Sequence, residues 1–439
     1  MGMKKISRRE WIANSTAALG AAAVPLAALA ESGNAELDAA NEPLTSPAAS
    51  SATSGAQVPG GSQTVSAQAA GMAQASPGQA PGAPRASSTA QASASPAQAA
   101  GVPSTAQAGA VGQASPAQPL VAPDGQQLYQ GTGRADWMQN PRYAWGVMTH
   151  YLADWQSQVN HLDMNVDLWN KMIDGWDVEG MVRRLASVGA GHYQISIGQN
   201  SGYYLSPNAT YDKITGITPS KCSRRDLVAD FYEPLRQRDI KLMVYLPSGA
   251  PNGDKAAKAA LEWQNGGYPN KNFQRKWEAI VTEWSQRWGK KVVSWWLDGV
   301  VYPDSMYRSP EAPNFASLGA AARAGNADAC VAFNPGVYNR LFAMSRDEDF
   351  TAGEIDDPNL VNVRHQVNGR VDGTQIHMLC FLGQHWGKGE PRFTTEQAVA
   401  ATKKVRDWGG AVTWDVPVAM DGTIAEAFME QLEAIGKAV

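Results

Sequence analysis

The sequence predicts an α/β protein folded as a (β/α)8 barrel of the TIM type. Three observations predict it. Beyond residue 140, short runs rich in β-branched and aromatic residues alternate with amphipathic stretches, as in a parallel sheet wrapped by helices. Roughly three hundred residues carry this pattern, the size of one barrel domain. Polar residues recur where the predicted strands end, and those C-terminal ends form the working face of such a barrel.

The first elements precede the barrel. Lys4 and Lys5 are followed by Ser7-Arg8-Arg9-Glu10-Trp11-Ile12 and an Ala-rich run to Ala28-Leu29-Ala30. This reads as a twin-arginine export signal over residues 1–30, with periplasmic or secreted localisation. The other reading is a short membrane anchor. Asn14, Ser15, Gly20 and Pro25 make the run weakly apolar for that role, so no membrane span is expected in the mature form. Residues 31–125 read as a linker. Between Glu42 and Asp124 the only charged residue is Arg85, and Ala, Ser, Gln, Pro and Gly dominate. Such a segment has too little apolar surface to offset its chain entropy. Apart from Trp11, all of the 15 tryptophans lie beyond residue 135, in the predicted folded domain, 126–439. A formal charge of −4 without a basic run argues against nucleic acid. Three cysteines, with Cys330 and Cys380 inside apolar runs, point to buried thiols rather than a disulfide framework.

Eight strands are predicted at 143–149, 193–197, 242–246, 292–297, 331–334, 350–353, 376–382 and 411–416. Helical spacing is clearest at 178–188, which ends at Gly189, and at 272–288, where Trp277, Trp284 and Trp288 share one stripe as core. Helices are also predicted at 223–237, from a Ser cap, and at 395–408, from a Thr cap with Glu396. The sixth unit is the weakest, because the chain after Glu354 is polar. An open doubly wound sheet is the alternative, but no Gly-rich phosphate loop follows the first strand.

The predicted strand ends carry Thr149 and His150, Gln199 and Asn200, Pro247 and Ser248, Asp298, Asn334, Glu354, His385 with Trp386, and Asp415. No close set of His or Cys suggests zinc, and no Gly-x-Ser-x-Gly turn suggests a serine nucleophile. The most informative run is Ser294-Trp295-Trp296-Leu297-Asp298-Gly299, an acid at the end of an apolar strand. Two carboxylates flanking one bond are what glycoside cleavage needs. Asp298 is the candidate nucleophile and Glu354 the candidate acid/base. Asp298 could instead cap a helix. Glu354 could be a solvated loop acid, with Asp356, Asp357 or Asp415 as replacements.

These residues resemble glycoside hydrolase family 29, the retaining α-L-fucosidases, in order from Tyr143 to Val439. Trp145-Gly146-Val147-Met148-Thr149-His150 is similar to that family's first strand, which ends in a sugar-binding His. Arg225-Asp226-Leu227-Val228 and the run 240–245 resemble its third helix and strand. Trp296-Leu297-Asp298-Gly299 resembles its nucleophile strand, and Phe350-Thr351-Ala352-Gly353-Glu354 the segment bearing the acid/base glutamate. Gly409-Gly410-Ala411-Val412 through Pro417, Asp421-Gly422-Thr423-Ile424 and Ile435-Gly436 resemble its closing strand and final helix. The family's usual C-terminal β-sandwich has no room before Val439.

Three positions depart from that pattern. Gln199 and Asn200 stand where the family has a His-His pair, Asn334-Pro335-Gly336 where it often has Asn-Asp-Arg, and Tyr151 where it has Trp. The catalytic frame is kept while the sugar-reading shell changes, which leaves fucose or a related α-L-sugar as the expectation. The expected sugar-contacting set is His150, Tyr151, Gln199, Asn200, Tyr245, Trp296, His385, Trp386 and Asp415. The resemblance implies an exo-acting, retaining glycosidase on an oligosaccharide or glycoconjugate, needing no cofactor and no metal. A glycosidase of another sugar class, or a carbohydrate-binding barrel without catalysis, uses the same residues. Oligomeric state is not encoded in any motif.

Overall fold

The computed structural model of the chain describes residues 131–263, 270–300 and 307–439; the export-signal and linker readings, 1–30 and 31–125, lie outside them. Seven parallel strands form the sheet: β1 (Trp145–Thr149), β2 (His192–Ser196), β3 (Lys241–Pro247), β4 (Ser294–Asp298), β5 (Cys330–Phe333), β6 (His377–Phe381) and β7 (Ala411–Asp415). Their order is β6-β7-β1-β2-β3-β4-β5, and every neighbouring pair is parallel. Each of these strands overlaps a predicted one.

The eighth does not form as predicted. Residues 350–353 make no ladder, only single parallel bridges, Phe350 to Gln375 and Glu354 to Leu379. The sheet is therefore a curled, seven-stranded half-barrel, consistent with a TIM-like barrel but not closed by strand pairing. Across the open seam, backbone bonds reach β6 and the residues before it, while toward β5 side chains supply part of the missing ladder. The Asp349 amide donates to Val331 O at 2.8 Å, and the Val331 amide donates back to the Asp349 carboxylate at 2.9 Å. The Phe333 amide donates to the Glu348 carboxylate at 3.0 Å. Buried strand donors must find partners, and here two acids supply them.

Helices α1 (Ala153–Asn160), α2 (Val166–Asp174), α3 (Val178–Ser187), α4 (Ala209–Thr215), α5 (Leu227–Gln237), α6 (Lys255–Ala260), α7 (Lys271–Trp288), α8 (Phe315–Ala322), α9 (Thr395–Asp407) and α10 (Glu426–Ala438) accompany the sheet. The long helix α7 illustrates why they form. Asn270 caps the Phe273 amide, Phe273, Trp277, Ile280, Trp284 and Trp288 recur at helical spacing and are buried, and Gly289 at positive φ ends it. Each large apolar side chain so buried contributes about 1.5–3 kcal/mol. Two predicted caps shift. Asp226, not Ser223, caps α5, and Thr394, not Thr395, caps α9 in a reciprocal box with Gln397.

Strand parity then sorts the core into two. Val147, Tyr193, Ile195, Val244, Trp295, Leu297, Val331, Met378, Val412 and Trp414 pack outward with the helices. Met148, Met243, Tyr245, Trp296, Cys330, Ala332, Phe350, Ala352, Leu379 and Ala411 form a separate inner cluster. Because side chains alternate every residue, Asp298, Asn334, Glu354 and Asp415 fall on the inner side, at the strand ends. At the opposite, N-terminal end, His192 and His377 both bond the Thr413 hydroxyl, at 2.7 and 2.8 Å, and burial depresses them to about 4 and about 3. They are neutral struts far along the strands from the acids. Cys222, Cys330 and Cys380 are buried and unpaired.

Candidate active site

The inner strand ends converge on Asp298. Its Oδ2 accepts the Tyr245 hydroxyl from the neighbouring strand, and its Oδ1 accepts Asn334 Nδ2 at 2.7 Å from the other side. Gln199 Nε2 donates to the Tyr245 hydroxyl at 2.6 Å, so a chain of donors runs from the end of β2 to Asp298. Burial, and then the Asp298 charge, push Tyr245 well above its usual range, so it stays a donor.

Glu354 reaches the same point from the seam. Gly353 makes this possible: its φ is +61°, and a Cβ there would meet His377 O at 2.0 Å. The chain thus passes tightly along β6, with Leu379 donating to Gly353 O at 2.8 Å and Ile355 donating to Leu379 O at 2.9 Å. Glu354 Oε2 accepts the same Asn334 Nδ2 at 2.6 Å. One amide nitrogen therefore holds both acids. Their nearest oxygens are no farther apart than the 2.7 and 2.6 Å bonds laid end to end. The residue is half-buried, but its carboxyl is enclosed by protein. Burial, then the Asp298 charge, raise Glu354 to about 8. It is thus the protonated partner at neutral pH. A small crevice beside it is lined by Pro335, Gly336, Tyr338, Arg340, Phe342 and Gly353.

On the far side of Asp298, His150 is buried and its Nδ1 lies 2.8 Å from Asp415 Oδ1. Asp415 Oδ2 accepts the Gly387 amide at 2.5 Å, and burial raises its carboxyl. The His150 ring packs against Tyr245 (5.1 Å), Trp155 (5.2 Å) and Trp386 (5.5 Å). Trp155 and Trp386 are both half-buried, so each leaves part of its indole open to solvent beside His150.

The predicted residues thus divide. Asp298, Glu354, Gln199, Tyr245, His150, Asp415 and Trp386 are brought together. Tyr151 is not: it is fully buried in the outer layer, stacks on Trp169 and donates to Met420 O at 2.6 Å. It follows His150 and points the opposite way. Trp296 lies beneath Tyr245, two residues before Asp298, and donates to Ala352 O at 2.9 Å. It is floor, not face. Asn200 is exposed, and its carbonyl accepts the Gly253 amide. His385 is exposed in a turn paired with Lys388. The alternative acids are engaged elsewhere: Asp356 pairs with Arg392 at 3.2 Å, and Asp357 Oδ1 accepts the Asn359 amide at 2.9 Å. Sequence reasoning missed two residues, the bridge Asn334, noted only as a strand end, and Trp155, for which spacing gave no signal. Among the described residues no group of three His, Cys, Asp or Glu could hold a metal, and no helix is long and apolar enough to cross a membrane.

No family model and no curated protein matches the chain. Solved structures do. The endo-fucoidan hydrolase MfFcnA4 of glycoside hydrolase family 107 superposes with a TM-score of 0.53 at 17% identity, over 69% of this chain and 53% of that one. The chain thus spans about half the length of that protein. The endo-fucoidan hydrolase P5AFcnA of the same family gives 0.51 at 17% identity, over 70% of this chain and 93% of that one. The α-L-fucosidase AlfC from Lactobacillus casei aligns more loosely, at 0.48 and 13% identity, over 70% and 98%. At these identities the likeness is one of fold, and it does not reach membership of family 29.

Proposed function

We propose that the protein is a glycoside hydrolase acting on α-L-fucosylated or closely related sugars by double displacement. The observation that carries this reading is the Asn334 amide shared by Asp298 and Glu354 on the inner face. Retaining enzymes hold their two carboxyl groups about 5–5.5 Å apart, inverting ones roughly 6.5–9.5 Å. A shared donor nitrogen favours the former. The fold shared with endo-fucoidan hydrolases and the family 29 resemblance support the choice of sugar.

In this mechanism an Asp298 oxygen bonds the anomeric carbon while the bond to the leaving oxygen breaks. Glu354 gives its proton to that oxygen. Water then attacks the anomeric carbon, loses a proton to the Glu354 carboxylate, and frees Asp298. The raised carboxyl suits the acid role: Glu354, pushed up to about 8 by burial and then the Asp298 charge, holds its proton at neutral pH. His150, fixed by Asp415, and the half-buried Trp155 and Trp386 would hold the sugar on the other side. Release of a terminal sugar is proposed from the family 29 resemblance, and export to the periplasm or medium from the twin-arginine pattern at Ser7-Arg8-Arg9.

A panel of aryl α-L- and β-D-glycosides tests the reading, with Asp298→Ala alongside. The expected result is turnover of one α-L-sugar, abolished in the variant and restored by azide as an inverted glycosyl azide. Activity should fall on the alkaline side as Glu354 ionises near pH 8. Silence of the folded protein on aryl glycosides and on fucosylated oligosaccharides alike would contradict it.

A further inference from the structure

We infer that Asn334 is the positioning residue of the acid pair: its amide clamps Asp298 and Glu354 at a fixed separation through two hydrogen bonds from one nitrogen. The inference rests on the reading of those two acids as the reacting pair.

The clamp is built into the local sequence. Asn334-Pro335-Gly336 forms a turn in which Asn334 Oδ1 accepts the Gly336 amide at 3.2 Å. Asn side chains close such turns on their own backbone, Pro335 fixes one torsion, and Gly336 takes a φ of +104°. With Oδ1 engaged there, Nδ2 must face the acids, and its two hydrogens match two acceptors. The opposite orientation would set a carbonyl oxygen against two carboxyls. The backbone is held as firmly. The Asn334 amide donates to Leu297 O at 2.8 Å and its carbonyl accepts the Val300 amide at 3.0 Å, which ties it to both flanks of Asp298. The side chain is fully buried.

The clamp matters most for Glu354, whose segment meets β6 at single bridges, at Glu354 through Leu379, rather than through the continuous ladder on both sides that holds β4 and Asp298. The groups around Glu354 are Asp298 on β4, Tyr245 on β3, Asp356 on its own segment, and Tyr338 and Arg340 on the loop after β5. Asn334 lowers the Glu354 carboxyl against burial and the two aspartates. Removing the amide should therefore raise the Glu354 titration as well as loosen its position.

Asn334→Ala and Asn334→Asp separate this role from a merely structural one. The aspartate keeps the acceptor that closes the turn and loses both donors. Carbon-13 titration of the glutamate carboxyls, with Glu354→Gln to assign the signal, reads the clamp without any substrate. We expect the Glu354 midpoint to rise in Asn334→Ala and further in Asn334→Asp. With an aryl glycoside the wild type cleaves, kcat should fall about 10²-fold, as for small misplacements of reacting groups, and most for poor leaving groups. The alkaline limb should move up with the midpoint. A wild-type titration in Asn334→Ala, or wild-type kcat in Asn334→Asp, would overturn the clamp. If the wild type cleaves no glycoside, the proposed function falls, while the titration still decides the role of Asn334.

Discussion

From β6 through β7 and β1 to β5, each strand is held by its neighbours' backbone, residue by residue. From Glu348 to Ile355 the chain crosses the remaining gap with two single bridges and scattered backbone bonds, and on its β5 side with borrowed side chains. The candidate nucleophile ends a regular strand, and the candidate acid sits in the irregular crossing. A ladder fixes position at little chemical cost, because each donor meets a carbonyl. Toward β6 the crossing also uses backbone bonds, but toward β5 it meets the Val331 and Phe333 amides with buried carboxyls, and these titrate. The site thus joins a rigid half to a half whose geometry depends on charge.

The comparison breaks most directly at Asp349. Its buried carboxylate pairs with Arg323 at 2.6 Å, is approached by Arg134 at 3.4 Å and accepts the Val331 amide. Asp349→Ala leaves the Val331 amide without its acceptor and Arg323 without its anionic partner, with only the Ala329 and Asp347 carbonyls remaining to it, and should cost about 3–5 kcal/mol in urea unfolding. An effect near zero would mean that the crossing does not depend on its acids. On the regular half, Tyr245→Phe removes one donor to Asp298 and leaves the ring in place. A hydrogen bond to a charged group is worth about 1.5–3 kcal/mol, so kcat/KM should fall roughly ten- to a hundredfold with little change in stability.

Acid–base behaviour sharpens the same contrast. Burial raises Glu348 to about 8, despite the three backbone amides it accepts. The unfolded chain releases this proton near pH 4.3 and the folded protein only near 8. Stability is thus fully present below about 4.3 and declines as pH rises toward 8. Glu354 acts in the same direction. His192 and His377, depressed to about 4 and about 3, act in the opposite direction below about pH 6.5, so the stability of the wild type relative to Glu348→Gln, read by chemical denaturation, is the quantity that should fall across this range. A difference between the two proteins that stays flat from pH 4 to 8 would exclude a buried carboxyl at Glu348. The smallest effect belongs to the ladder. Ser294 is buried on β4, and its hydroxyl has no hydrogen-bond partner among the described residues. Ser294→Ala should change stability by less than about 0.5 kcal/mol. A larger loss would reveal a bridging water there.

Legibility in the sequence follows the same division. Seven strands could be read because strands buried on both faces are short apolar runs bounded by polar ends. The helix of Trp277, Trp284 and Trp288 could be read because its period is 3.6. Residues 350–353 carried the same apolar signature, yet the flanking Glu348 and Asp349, which replace part of their ladder, look like loop acids in sequence. Asp298 and Glu354 could be nominated from strand ends. Asn334 could not be given a role, since its amide matters only because residues 36 before and 20 after it meet there. Tyr151 and Trp296 were misplaced by direction. The first points out of the barrel, and the second lies one inward-facing step too deep.

The most direct test is to trap the intermediate. A 2-deoxy-2-fluoro α-L-fucosyl donor with a good leaving group should glycosylate the protein as its leaving group departs, and peptide mapping should find the sugar on Asp298. Glu354→Gln should slow its hydrolytic release. A label on any other carboxylate, or turnover with inversion and no covalent adduct, would contradict the account.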